Sequence, residues 1–121
     1  MRDPSGLKIG IVGPCAAGKT TLAEGLRRQG LSARQIAQEH SYVPRMWKLL
    51  ADPDLLIFLD VSHPVSLQRR PQNFTPKDFA VQVERLDHAR KNADIYVDTD
   101  PLTIDQVLER VLELIDSSKS G

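Results

Sequence analysis

The chain has 121 residues, with 16 Lys plus Arg set against 16 Asp plus Glu, a length that fits one domain built on a single core. Zero formal charge argues against a dedicated binder of nucleic acid or anionic membrane, which carries a basic excess. A single cysteine excludes an internal disulfide and a cysteine-rich metal centre, no apolar run reaches the ~18 residues of a membrane span, and Met1 to Gly6 lack the apolar core of a secretory signal. The expectation is a globular cytoplasmic domain over 1–121 with no membrane partner, its core in 7–115 and flexible ends at 1–6 and 117–121.

In chain order, residues 7–12 (LKIGIV) read as a buried strand. A helical pattern follows from Lys19 to about Gln29, with Leu22 and Leu26 on one face and Gly30 as its stop. Ser32 to Ala37 alternates weakly as a second strand, and Pro44 fits the first turn of a short helix carrying Met46, Trp47 and Leu50. Leu55 to Val61 is apolar on both faces except for Asp60, the pattern of a central parallel strand. Ser62 and Pro64 open a short helix reaching Arg69 and Arg70, which Pro71 ends. Thr75 and Asp78 form a capping box for a helix with Phe79, Val83 and Leu86 on its apolar face. Ala93 to Val97 is a fourth strand, and Thr103 with Gln106 caps a last helix striped by Ile104, Val107, Leu108, Val111 and Ile115. Strands alternating with helices predict an α/β fold, a parallel sheet with helices on both faces.

The chemistry lies in residues 13–20, Gly13-Pro14-Cys15-Ala16-Ala17-Gly18-Lys19-Thr20, which match the P-loop pattern G-x-x-x-x-G-K-[ST] between a strand and a helix. Glycines let the backbone curl so that its N–H groups and the helix N-terminus form an anion hole. Lys19 would reach the β- and γ-phosphates, Thr20 would place its hydroxyl on Mg²⁺, and Thr21 would add one to the α-phosphate. Cys15 reads as a small filler. An acid is needed to orient the hydrated Mg²⁺, and two candidates stand open, Glu39 after the second strand and Asp60 at the end of LLIFLD. No His/Cys/Asp spacing points to zinc.

The loop, the segment LLIFLDVSHPVSLQRR and the stretch RLDHARKNADIYVDTDPLTIDQVLERV together resemble the small-molecule kinases of the P-loop class, such as the shikimate and adenylate kinases. The resemblance covers about residues 7–115. It implies a three-layer P-loop NTPase fold with a short parallel sheet of four or five strands. It implies lid arginines at Arg69 and Arg70, and an adenine-backing loop at Asp98 to Leu102 with Asp100, Pro101 and Leu102 against the base. In that family the strand leading to the lid lies beside the P-loop strand on the side away from the magnesium acid, which favours Glu39 over Asp60. Only about 35 residues separate Lys19 from Leu55, so the acceptor-binding insertion is reduced to His40 through Trp47 and the lid to about Pro71 through Thr75.

Residues 69–91 hold six basic and three acidic side chains, and 94–116 hold seven acidic and one basic, so the zero charge conceals a polarity. Arg70 is the first choice to stabilise transferring phosphate, then Arg69, with Arg85 and Arg90 behind them. Arg45 would hold an anionic acceptor, while Trp47 reads first as core. The expected ligands are Mg²⁺ and ATP, or GTP. ATP is preferred because Asn92-Ala93-Asp94 lacks the N-K-x-D pattern of guanine readers. Two functions compete: phosphoryl transfer to a small acceptor with Lys19, Glu39 and Arg70 as catalytic residues, and a nucleotide-binding switch or weak NTPase acting through a protein partner.

Overall fold

The computed structural model describes residues 7–70 and 73–120, of which 118–120 by backbone only. Apolar runs became four strands: β1 (Lys8–Val12), β2 (Ser32–Gln35), β3 (Leu55–Asp60) and β4 (Ile95–Asp98). They pair in the order β2-β1-β3-β4, every pair parallel. Five helices join them: α1 (Lys19–Arg28), α2 (Met46–Leu50), α3 (His63–Arg69), α4 (Pro76–Lys91) and α5 (Ile104–Ser120). A 3-10 turn spans Gln38–His40.

Alternation along the strands separates two cores. Ile9, Ile11, Leu55, Ile57 and Leu59 point to one face, against Leu22 and Leu26 of α1 and Val107, Val111 and Ile115 of α5. Val12, Leu56 and Phe58 point to the other, against Trp47 of α2 and Leu86 and Ala89 of α4. Helices therefore cover both faces, as a parallel sheet requires. β3, paired on both sides, is the strand whose sequence is apolar on both faces. β2 is an edge strand that buries only Ala33.

Several boundaries differ from expectation, each for a local reason. β2 ends two residues before Ala37, because Ile36 gives its N–H to Ile11 O (2.8 Å) and turns into the second core. β4 begins at Ile95 because Asn92 and Ala93 close the last turn of α4, and Asp94 Oδ2 accepts from Leu56 N (2.8 Å). Arg45 is the N-cap of α2, so Pro44 precedes that helix; in five residues it buries only Trp47 and leaves Leu50 exposed. The inward side of α4 is Gln82, Leu86 and Ala89, not Val83, which is exposed. Ile104 is exposed at the start of α5, and that helix runs through Ser120, beyond the expected end at Ser117. Both capping boxes formed as expected. The expected stop at Pro71 and the expected flexible ends at 1–6 and Gly121 lie outside the described residues, as does part of the short lid.

Candidate functional site

Parallel strands deliver their C-terminal ends to one edge, and the loop from Gly13 to Gly18 sits there between β1 and α1. Gly13 is required: a Cβ on it would stand 2.1 Å from Leu59 O. Gly18 caps α1 with φ 95°, and Ala16 adopts φ 67°, a left-handed conformation that costs a residue with a Cβ. Such strain gathers where the chain must present its backbone. The first turn of α1 has neither a side-chain cap nor an acidic residue. By contrast, Ser62 caps α3, Thr75 caps α4 and Thr103 caps α5. The unpaired N–H groups at the start of α1 thus carry partial positive charge.

Lys19 is folded back under the loop. Its Nζ donates to Gly13 O (2.8 Å), Pro14 O (3.0 Å) and Glu39 Oε2 (2.9 Å). Both side chains of the ion pair are nearly buried, at 6% and 5% exposure. The second oxygen, Glu39 Oε1, is buried with no hydrogen-bond partner. Glu39 reaches this place because the 3-10 turn after β2 is fastened to α4: Gln38, fully buried, donates to Val43 O and Arg85 O and accepts from Trp47 N.

A cavity of about 310 Å³ faces the loop and brings together Cys15, Ala16, Gly18, Lys19, Thr20, Thr21, Glu39 and Arg70. Asp60 lies elsewhere. It lines a separate cavity with Pro14, Tyr96 and Asp100, and its carboxylate accepts from Val61 N (2.9 Å) and from the Tyr96 hydroxyl. Burial, then that contact with Asp60, pushes the Tyr96 phenol above its ordinary pKa. Arg69 is tied to Ala16 O (3.1 Å) and to Thr99 Oγ1 (2.9 Å), holding the loop against the turn after β4, while Arg70 faces the loop cavity.

On one side of the loop, a mostly apolar cavity of about 470 Å³ is lined by Ala17, Leu22, Gly25, Leu102, Val107 and Leu108 among others. Of the three loop residues expected against a base, only Leu102 borders it. Asp100 instead accepts from Ser62 N (2.8 Å), and Pro101 borders a different hollow beside Gln106. On the other side, a cavity of about 340 Å³ is lined by Cys15, His40, Phe74, Asp78, Val81, Gln82 and Arg85. Arg85 stacks on Tyr42 (4.4 Å to the ring centroid) and donates to Glu39 O (3.3 Å). Arg90 lies over Tyr96, away from the loop cavity. Trp47 is core, its Nε1 donating to His88 Nδ1 (3.1 Å). Asn92 and Asp94 sit at the start of β4, the end of the sheet opposite the loop.

Two features escaped the sequence reading. Gln82 accepts from Cys15 N (3.1 Å) and donates to Cys15 Sγ (3.2 Å), pinning the loop to α4. A buried polar residue one turn before Leu86 was the available signal. The structure also brings Cys15, Glu39 and His40 together, with ligand atoms all within 4.8 Å of one another. Cys15 and His40 are 25 residues apart, a spacing that matches no metal motif.

In comparisons with known proteins, no protein-family model matches this chain and no curated protein matches it.

Proposed function

We propose that the loop is a P-loop binding a purine nucleoside triphosphate with Mg²⁺, ATP in preference to GTP, and that the domain transfers the γ-phosphoryl group to a small acceptor. The observation that carries this is a row of three cavities joined by shared walls. Ala16, Gly18 and Thr21 border both the apolar cavity and the loop cavity; Cys15 and His40 border both the loop cavity and the one beside Arg85. The base would lie against Leu102 and Leu108, the phosphates along the uncapped start of α1, and the acceptor between His40, Gln82 and Arg85.

The residues present fit Mg²⁺. Thr20 offers an exposed hydroxyl, and Glu39 has a buried oxygen with no partner in the same cavity. One carboxylate, one hydroxyl and phosphate oxygens are the donor set Mg²⁺ favours, with retained waters completing it. The ion would neutralise phosphate charge. Lys19 would leave Glu39 and the two carbonyls for the phosphates, and Arg70 would lie over the transferring group. The acceptor oxygen would bond to the γ-phosphorus as the bond to the bridging oxygen of the departing diphosphate breaks. Glu39, released by Lys19, would accept the acceptor's proton.

Titration of ATP·Mg²⁺ and GTP·Mg²⁺ into the wild type, Lys19→Ala and Thr20→Ala tests the reading. Loss of Lys19 removes charge-assisted hydrogen bonds, so binding should weaken roughly tenfold to hundredfold. Thr20 is exposed, so Thr20→Ala should keep the thermal midpoint while reducing the dependence on Mg²⁺. Equal binding in all three proteins would falsify the assignment. The exposed Tyr42, Leu49 and Leu50 beside the short acceptor segment favour the second reading, a nucleotide-dependent contact with a protein partner. ATP binding with no turnover against a pool of small metabolites would select it.

A further inference from the structure

We propose that Cys15, Glu39 and His40 form a binding site for Zn²⁺ at the mouth of the loop, and that the ion shuts the loop cavity. Cys15 Sγ lies 3.8 Å from His40 Nε2, and His40 Nε2 lies 3.8 Å from Glu39 Oε2. Three donors, one of them sulfur, around a tetrahedral Zn²⁺ stand about 3.3–3.5 Å apart, given Zn–S near 2.3 Å and Zn–N and Zn–O near 2.0 Å. Those two separations are about 0.3–0.5 Å too long, and the third, between Cys15 and the Glu39 carboxylate, is no more than 4.8 Å, so the donors need to close by between about 0.3 and 1.3 Å to meet the ion.

The donor chemistry supports that ion over Mg²⁺. A thiolate and an imidazole are the ligands borderline and soft cations select, whereas Mg²⁺ takes oxygen. Thiolate and carboxylate together carry two negative charges against the ion's two positive ones. Gln82 Nε2 donates to the sulfur (3.2 Å), which holds the Cys15 side chain in place beside α4. Glu39 adds a second observation: its side chain is only 5% exposed, its Oε2 faces both Lys19 and His40, and its Oε1 is buried with no hydrogen-bond partner. Lys19 is the competitor, 2.9 Å from Oε2, but it keeps Gly13 O and Pro14 O as acceptors when the carboxylate turns toward the ion. Arg85 and Arg70 are the other nearby cations; Arg85 is held on Tyr42 and on Glu39 O. His40 is 59% exposed, so its imidazole is open to solvent and to an arriving ion.

All three ligands line the loop cavity. A bound Zn²⁺ therefore takes Glu39 and fixes Cys15, so zinc and the triphosphate exclude each other; this second half rests on the nucleotide reading, the zinc site itself does not. The test is titration of the nucleotide-free protein with Zn²⁺ and with Co²⁺ as its coloured substitute, in wild type, Cys15→Ser and His40→Ala, followed by ATP titration of each zinc-loaded protein. The expected result is one ion per chain and a thiolate-to-cobalt charge-transfer band. Cys15→Ser should lose the band, and His40→Ala should bind at least about tenfold more weakly. Zinc should weaken ATP binding in the wild type and not in the variants. Zinc uptake lost in Cys15→Ser with no ATP binding in any protein supports the site and overturns only the nucleotide reading. Absence of the band, or equal zinc affinity in all three proteins with unchanged thermal midpoints, overturns the site.

Discussion

Two residues at the loop bear local costs that other groups offset. Ala16 holds a left-handed φ of 67°, which costs an L-residue roughly 1–2 kcal/mol. Glycine accepts that geometry but loses more entropy on folding. Ala16→Gly should therefore stabilise the domain by up to about 1 kcal/mol, read as a higher urea midpoint; a lower midpoint would show that the loop is not strained there. The Lys19–Glu39 pair is nearly buried, and breaking such a pair strands a charge at a cost of about 3–5 kcal/mol. Lys19→Met should cost about that much. Adding Glu39→Gln should recover part of it, so a double-mutant cycle gives a clear coupling energy. Additive effects would mean that the two carbonyls, not Glu39, hold the lysine.

At the scale of elements, caps divide the helices into two kinds. α4 and α5 carry reciprocal capping boxes and α3 a serine cap, while α1 and the five-residue α2 begin without a side-chain cap. The capped N-termini belong to the three helices that follow β3 and β4, and the uncapped start of α1 is the one that faces the loop cavity. Thr75 sets the titration of its partner: its backbone N–H and hydroxyl hold the Asp78 carboxyl below its ordinary value of 3.8. A depressed carboxyl contributes stability above the unfolded value, and that contribution is lost as pH falls through the folded one. The stability difference between wild type and Asp78→Ala should thus be full at neutral pH and shrink below about pH 3.8. Urea unfolding at a series of pH values measures it, and a difference independent of pH would mean that helix propensity alone is at work.

At the scale of the molecule, the two cores serve different sides of the site. The α1–α5 core forms the floor of the apolar cavity, and the α2–α4 core fixes the wall that carries Glu39 and His40. Gly25 is the close approach between α1 and α5: a Cβ there would stand 3.1 Å from a Leu108 methyl. Gly25→Val should cost about 1–3 kcal/mol by overpacking. Since Gly25 and Leu108 both border the apolar cavity, the proposed nucleotide function requires ATP affinity to fall with it. Unchanged affinity in the folded variant would place the base elsewhere. The charge polarity of the sequence persists only in part: Arg70 and Arg85 border the loop cavity and its neighbour beside Glu39 and Asp78, whereas Asp98 and Asp100 gather with Asp60 at a cavity that Arg90 also lines.

The sequence by itself determined the four strands, the helices, both capping boxes and the loop, because these depend on periodicity and on short-range hydrogen bonds between near neighbours. Its least accurate statements concerned ends, as at Ile36 after β2 and at Asp94 before β4, where hydrogen bonds to distant residues fix the strand limits. The residues by themselves left two acids open, and the resemblance only favoured one; the tertiary structure shows that Glu39 meets the lysine. Asp60 ends β3 and Glu39 lies in the 3-10 turn after β2, but β1 lies between β2 and β3, and the turn after β2 is the one that brings its acid to Lys19. The same bend, held by Gln38 on α4, carries His40 to Cys15. No local pattern encodes that meeting, because it depends on strand order and on how one helix packs against the sheet.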